Sequence, residues 1–104
     1  MYAKVTRITF HPSSEEEALN FIQNRMFPSA SVQRGFKDAF IFQNTAEQHK
    51  YTLISVWESE EAMQVSGPPE DLLPELQHFD TLVAEASQEI HTQLFQFSER
   101  SQGE

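Results

Sequence analysis

The segment YTLISVWESEEAM, residues 51–63, constrains the fold most strongly, because its periodicity changes abruptly at Ser59. Before that point the side chains alternate between two faces, and β-branched and aromatic residues dominate, which is typical of a half-buried strand. Ser59 is a favourable N-cap residue, and Glu60 and Glu61 follow in the first turn, where negative charge meets the positive end of the helix dipole. The segment therefore predicts a strand that runs directly into a helix.

Three further segments alternate as strands do, at residues 2–10, 36–44 and 89–97. Together with a strand over residues 51–58, they give four strands. The polar residues 44–50 predict a hairpin loop, so the second and third strands should be antiparallel.

The helix after the first strand carries apolar residues at helical spacing over residues 19–26. Ser13 and Ser14 each precede a glutamate by three residues, which is the spacing of a capping box. Pro28 should end or kink this helix, because proline lacks the backbone N–H that a helix interior requires. Gly35 then marks a turn before the second strand.

The helix that opens at Ser59 should stop at the sequence Ser66-Gly67-Pro68-Pro69, because glycine fits the position after a helix and proline cannot continue it. Pro69 is tolerated at the first position of a new helix. The apolar stripe of this new helix consists of Leu72, Leu76, Phe79 and Val83. We therefore expect Val83 to be helical and the last strand to begin at Glu89.

The resulting order β-α-β-β-α-β predicts a ferredoxin-like α+β fold with two helices on one face of a four-stranded antiparallel sheet. The domain should span residues 1–97, and the polar residues 98–104 should form a frayed tail. The other sheet face would carry either the Phe36/Phe40/Phe42 row or its neighbours Ala39 and Ile41. Such an uncovered apolar face predicts a homodimer that pairs through the sheet.

Composition excludes several classes of function. The chain has no cysteine, which rules out disulfides, thiolate metal sites and a cysteine nucleophile. Its formal net charge of -9 would repel nucleic acid and anionic membranes. No apolar run is long enough for a membrane span, and the N-terminus has no signal-peptide pattern. We therefore expect a cytoplasmic protein without nucleic-acid or membrane partners.

Three segments resemble the dimeric α/β-barrel superfamily, specifically its antibiotic-biosynthesis-monooxygenase-like branch. They are YAKVTRITFHP at residues 2–12, Arg34-Gly35-Phe36, and VWESEEAM at residues 56–63. In that family, a strand that ends in Trp and a polar cap that contains Ser open the second helix. The resemblance covers about residues 2–97 and implies a homodimeric barrel. The superfamily includes cofactor-free oxygenases of polycyclic phenols and quinols, haem-degrading enzymes and members without a known reaction.

Haem-degrading relatives use an Asn on the first strand, a second Trp in the second helix and a haem-ligating His. Here Thr6 stands at the Asn position, Trp57 is the only tryptophan, and His78 lies near the ligand position with a different spacing. The resemblance therefore implies no cofactor, with haem binding through His78 as a disfavoured alternative. The four histidines also lack the spacing of a metal site.

Two side chains are candidates for catalysis. His78 could act as a general base, since an imidazole group in general can exchange a proton near neutral pH, although an exposed helix histidine is the simpler interpretation. Arg7, in the middle of the first strand, could bind a phenolate substrate, or could pair with Asp38 or another acid across a dimer.

Five side chains are candidates for substrate binding: Thr6, Phe40, Ser55, Trp57 and Phe79. Thr6 and Ser55 are small polar residues that could orient a hydroxyl or carbonyl group. Trp57 could pack against an aromatic substrate, but anchoring the strand–helix junction in the core is the favoured interpretation. The pocket should be mainly apolar, between the sheet and the helices, with residues 65–74 at its opening.

The sequence leaves three alternative functions open. The first is a cofactor-independent monooxygenase acting on a small electron-rich aromatic compound, a quinol or phenol. Such a substrate supplies its own electrons to oxygen, so the protein has to bind it, deprotonate a hydroxyl and exclude water. The second is a non-catalytic or stress-associated dimeric barrel that holds a small hydrophobic ligand. The third is a haem-binding relative.

Overall fold

Four antiparallel strands form one sheet in the order β2-β3-β1-β4 in the computed structural model, which describes residues 1–99. The strands are β1 (Tyr2–Phe10), β2 (Phe36–Gln43), β3 (Lys50–Trp57) and β4 (Val83–Thr92). The helices are α1 (Glu15–Phe21), α2 (Phe27–Ser31), α3 (Glu60–Val65) and α4 (Leu73–Leu82). The order confirms the predicted ferredoxin-like α+β fold.

The junction between β3 and α3 is formed as the sequence predicts. Ser59 has an extended backbone, and its hydroxyl accepts a hydrogen bond from the Ala62 backbone N–H at 3.0 Å. Gly35 lies against the same helix with φ of +85°, and a Cβ built on it would come within 2.5 Å of the Ala62 Cβ. Glycine is therefore needed here both for the left-handed backbone and for the close approach.

The first helical region differs from its prediction at both ends. The side chain of Ser14 makes no capping hydrogen bond, because the short 3-10 turn Pro12–Ser14 holds its backbone in a helical rather than an extended conformation. Pro28 does not end the helix. A π-helical turn, Ile22–Met26, precedes α2 and places Pro28 in the first turn of that helix, where its missing N–H leaves no bond unmade.

The last strand also differs from its prediction, since β4 begins at Val83 and ends at Thr92 instead of spanning residues 89–97. Val83 pairs with Phe10, after a register shift between Thr9 and Phe10, and Thr92 pairs with Tyr2. The sequence AEAS at residues 84–87 is favourable for a helix, but a full ladder with β1 outweighs this local preference. Residues 93–99 have no regular structure, and 100–104 of the predicted tail lie outside the described residues.

The core lies between the helices and one face of the sheet. Its buried cluster consists of Ile8, Phe10, Ala18, Ile22, Tyr51, Leu53, Phe79 and Leu82. Phe10 packs edge-on against Phe79, with ring centroids 5.8 Å apart. Within the described part of the chain, no helix is both long and apolar enough to cross a membrane.

The opposite face of the sheet, here called the open face, is not covered by any element of residues 1–99. Its three rows across the sheet are Asp38, Val56, Ala3 and His91; Phe40, Ile54, Val5 and Glu89; and Phe42, Thr52, Arg7 and Ser87. Phe40 and Phe42 lie on this face, which agrees with the first of the two predicted alternatives. Phe36 does not, because a register shift before Asp38 turns it edge-on against Trp57 at 5.4 Å.

Candidate ligand cavity

A cavity of about 370 Å³ lies between the helix-facing side of the sheet and the segments that follow α1 and α3. Its floor includes Lys4, Thr6, Ile8, Leu53, Ser55, Trp57 and Gln88, and its walls include Met26, Phe27, Gln33, Leu72, Leu76, Phe79 and Asp80. The lining is mainly apolar with a few polar groups, as is usual for small-molecule sites. The cavity lies between the sheet and the helices, where the pocket was predicted. Ser66–Pro68, part of the segment predicted at its opening, also line it.

Four of the predicted binding residues meet in this cavity: Thr6, Ser55, Trp57 and Phe79. Trp57 is only 3% exposed, and its indole Nε1–H donates a hydrogen bond to the Ser55 hydroxyl at 3.0 Å. The ring therefore anchors the end of β3, as the favoured interpretation has it, and it also lines the cavity; its contact with a substrate stays a prediction. Phe79 reaches the cavity from α4, where it also packs against the core.

His78 is not part of the cavity. It is exposed on the outer side of α4, where its Nε2 lies 2.6 Å from Oε2 of Glu17, a residue in the first turn of α1. The hollow beside it, of about 430 Å³, is bounded by Phe21 and Leu82 on the protein surface. The simpler interpretation of an exposed helix histidine describes its position.

Arg7 and Phe40 lie on the open face, on the other side of the sheet from the cavity. Arg7 Nη1 donates to Glu89 Oε1 at 2.6 Å, so its carboxylate partner is in the same chain. This hydrogen bond, supported by a weaker one from His91, holds the pKa of Glu89 below its ordinary value. Neither Arg7 nor Phe40 is brought together with Thr6, Ser55 and Trp57.

Sequence reasoning missed several polar cavity residues, among them Lys4, Gln33, Asp80 and Gln88. Lys4 could have been found from strand alternation, because it shares a face of β1 with Thr6. Gln88 could not be assigned to a sheet face, because the last strand was predicted to start at Glu89. Nothing local to Gln33 or Asp80 signals a cavity, because their positions depend on how the helices pack.

Gln33 closes one side of the cavity by a two-point contact with Gly67, here called the clasp. Gln33 Nε2 donates to the Gly67 carbonyl at 2.9 Å, and the Gly67 N–H donates to Gln33 Oε1 at 3.0 Å. The clasp joins the segment after α2 to the proline-rich segment after α3, and both of its residues line the cavity.

A second group of titratable side chains lies at the far end of β3, outside the cavity. Tyr51 donates its phenolic hydrogen to Glu15 Oε2 at 2.6 Å, and His49 Nδ1 contacts the other oxygen of the same carboxylate. The Tyr51 hydrogen bond, followed by the one from His49, lowers the pKa of Glu15. The same bond raises the pKa of Tyr51 to about 12. This group ties β3 and its hairpin loop to the start of α1.

The positions of the His, Asp and Glu side chains give little support to metal or haem binding. Within residues 1–99, no three His, Asp or Glu side chains are placed to hold a metal ion. His11, His49, His78 and His91 are all absent from the cavity lining. The residues that line the cavity therefore offer no imidazole as an axial ligand for haem.

The family model described as antibiotic biosynthesis monooxygenase matches residues 1–66 of the chain. This match spans β1 to α3 and includes the strand–helix junction at Ser59. No protein with a curated description matches the sequence.

Several solved structures share the fold at low sequence identity. A mutant of SnoaB, a cofactor-independent oxygenase from Streptomyces nogalater, is 20% identical with a TM-score of 0.75, covering 94% of this chain and 97% of that one. A candidate antibiotic biosynthesis monooxygenase from Nitrosomonas europaea is 14% identical with a TM-score of 0.77, covering 91% and 100%. A conserved protein from Methanosarcina mazei Go1 is 13% identical with a TM-score of 0.75, covering 86% and 89%.

Proposed function

The chain belongs to the antibiotic biosynthesis monooxygenase family, and on this premise we propose that it is a cofactor-independent monooxygenase acting on a small electron-rich aromatic compound, a quinol or phenol. The observation that carries the proposal is the cavity beside Trp57, which is apolar except for a few polar groups. Similarity in fold to SnoaB, itself a cofactor-independent oxygenase, supports the same reaction class.

The reaction requires little chemistry from the protein. In the overall balance, the substrate loses two hydrogen atoms and gains one oxygen atom from O₂, and the other oxygen atom leaves as water. The electrons that reduce O₂ come from the aromatic substrate after a hydroxyl or an acidic C–H has lost its proton. The cavity contributes by holding the ring against Trp57 and Phe79 and by excluding water from the deprotonated substrate.

The proton is transferred to Asp80 in this proposal, instead of to His78. Asp80 lines the cavity from α4, whereas His78 faces away from it and contacts Glu17. A carboxylate that faces the substrate can accept a proton directly, or through one water molecule. Asp80→Asn should therefore lower turnover, while His78→Ala should leave it unchanged.

Oxygen uptake tests the proposal. We expect the protein to consume O₂ with 1,4-naphthohydroquinone or anthrone faster than a heat-denatured sample does. Trp57→Phe should lower kcat/KM about tenfold, because the ring loses area against the substrate and Ser55 loses its donor. His78→Ala is the matched control outside the cavity. Uptake equal to that of the denatured sample with both compounds would contradict the proposal and favour a non-catalytic binding protein.

We also propose that the protein is a homodimer joined through the open face. Phe40 and Phe42 are 44% and 55% exposed there, with their rings stacked at 6.1 Å. The open face carries six apolar residues among the twelve of its three rows, and a second copy provides a surface of the same kind to cover them.

A further inference from the structure

Four polar side chains form a compact grid on the otherwise apolar floor of the cavity. Lys4 and Thr6 are two residues apart on the same face of β1, so they lie about 7 Å apart. Lys4 pairs with Ser55 of β3, and Thr6 pairs with Gln88 of β4. Such directly opposed residues have Cβ atoms roughly 5 Å apart. We call Lys4, Thr6, Ser55 and Gln88 the donor grid.

The hydroxyl groups of the donor grid each accept a hydrogen bond from a neighbouring side chain. Trp57 Nε1–H donates to Ser55 Oγ at 3.0 Å, and Gln88 Nε2–H donates to Thr6 Oγ1 at 3.4 Å. A hydroxyl that accepts in this way still has its own hydrogen to donate. Within residues 1–99, neither of these two hydrogens has a protein acceptor, so both are available to a ligand.

Lys4 adds a positive charge to the donor grid. Its ammonium forms no ion pair with any described residue, although the side chain is partly buried. Two acids line hollows that Lys4 also borders: Asp80 lines the cavity, and Glu60 lines a neighbouring hollow. A partly buried cation without a partner favours a ligand that brings negative charge to it.

The rest of the molecule determines which kind of anion fits. A formal net charge of -9 disfavours the approach of a ligand that is already ionised, such as a carboxylate or a sulfate. A neutral phenol avoids this repulsion and becomes an anion only after it reaches Lys4. The donor grid therefore suits an aromatic hydroxyl that ionises inside the cavity.

We propose that the donor grid is an oxyanion site, in which the Lys4 ammonium and the Thr6 and Ser55 hydroxyls hold the oxygen of a deprotonated aromatic hydroxyl. The proposal rests on the proposed function and specifies its substrate class as phenols and quinols that bind neutral. On ionisation the O–H bond breaks, its proton moves to the Asp80 carboxylate, and its electron pair stays on the oxygen. Preorganised donors stabilise this charge without rearrangement, which is how oxyanion sites act.

The test uses 4-nitrophenol, because its phenolate has a distinct absorption and no turnover is required. Spectrophotometric titration at saturating protein gives the pKa of the bound probe. In the wild-type protein we expect the bound probe to ionise at least one pH unit below the free probe, a tenfold preference for the phenolate. Lys4→Met should abolish this difference, Lys4→Arg should keep most of it, and Thr6→Val or Ser55→Ala should reduce it.

Two controls separate charge from structure. Lys37→Met removes an exposed lysine that does not line the cavity and should change nothing. Nitrobenzene, which cannot ionise, should bind Lys4→Met as well as wild type. Absence of 4-nitrophenol binding to the wild-type protein, an unshifted bound probe, or equal losses for nitrobenzene and 4-nitrophenol would each overturn the oxyanion site. A shifted probe without oxygen uptake would leave the site standing and refute only the monooxygenase proposal.

Discussion

Gln33 and Gly67 exchange two hydrogen bonds, at 2.9 and 3.0 Å, although 34 residues separate them in the sequence. The side-chain amide of Gln33 both donates to and accepts from the backbone of Gly67, as two paired residues of neighbouring strands do in a sheet. This contact holds the proline-rich segment at the side of the cavity, so it should govern how fast a ligand leaves.

Gln33→Ala should increase the rate of ligand dissociation about thirtyfold, because it removes two hydrogen bonds that are each worth about 1 kcal/mol. Trp57 is the only tryptophan and lines the cavity, so its fluorescence in stopped-flow dilution of bound 1-naphthol reports the rate. Gln64→Ala removes a comparable side-chain bond, to Glu60 on the surface of α3, and should have no effect. Equal dissociation rates in the two variants would contradict a role for the clasp.

Tyr51→Phe should make the protein less resistant to acid. The lowered pKa of Glu15 means that its carboxylate stabilises the fold above the ordinary value of 4.5, and that this stabilisation is lost as pH falls through the lowered pKa. Without the Tyr51 hydrogen bond, the midpoint of acid unfolding should move to higher pH. Circular dichroism against pH measures it, and Tyr2→Phe is the control. An unchanged midpoint would refute the coupling.

The same hydrogen bond predicts behaviour in alkali. The pKa of Tyr51 is raised from 10.0 to about 12, so the bond contributes fully below pH 10 and is lost as pH rises through about 12. Tyrosinate absorbance should therefore include a step near pH 12 that belongs to Tyr51. Tyr51→Phe should remove this step, whereas Tyr2→Phe should keep it; loss of the step in Tyr2→Phe instead would show the assignment to be wrong.

Gly35→Ala should destabilise the protein by about 2 kcal/mol or more, because alanine is strained at positive φ and its Cβ would overlap the Ala62 Cβ. Chemical denaturation monitored by Trp57 fluorescence measures the change. Gly67→Ala is the matched control, since a Cβ there meets no atom within 4 Å. Similar losses in both variants would mean that the packing against α3 is not the cause.

Phe40→Asp should shift the protein from dimer to monomer, because it places a charge in the exposed aromatic pair of the open face, on the edge strand β2. Leu73→Asp changes an equally exposed apolar residue, 44% in both cases, on α4 outside the open face, and should leave the dimer intact. Analytical ultracentrifugation at micromolar concentration distinguishes the two states. A monomeric wild-type protein, or dissociation of both variants alike, would refute the proposed interface.

Sequence patterns predicted the order of strands and helices along the chain and the strand–helix junction, because strand alternation, the Ser59 cap and Gly35 act locally. The same patterns gave the wrong bounds for β4. Residues 84–87 favour a helix locally, but hydrogen bonding to β1, which lies more than seventy residues away in the sequence, stabilises a strand instead. Because the last strand was predicted to begin at Glu89, Gln88 was not identified as a cavity residue. Thr6, Ser55 and Trp57 were found because alternation assigns them to one face, and Lys4 follows from the same rule.

His78 and Arg7 were chosen for their chemistry, and chemistry alone does not determine which side of a sheet or helix a residue occupies. His78 was placed beside Phe79 by sequence, but adjacent helix positions differ by about 100° and so face different surroundings. Arg7 alternates with Thr6 on β1 and therefore lies on the opposite face. Only the packed structure separates these positions from the cavity.

The direct join between α4 and β4, where Leu82 ends the helix and Val83 begins the strand, leaves no spare residue to absorb a change in length. Inserting a single amino acid there would turn every following side chain of β4 to the other face. The hydroxyl of Ser87 would then replace the amide of Gln88 in the cavity, beside Thr6. Insertions and deletions during the divergence of this chain should therefore accumulate in the loop at residues 44–49 and be selected against at this joint.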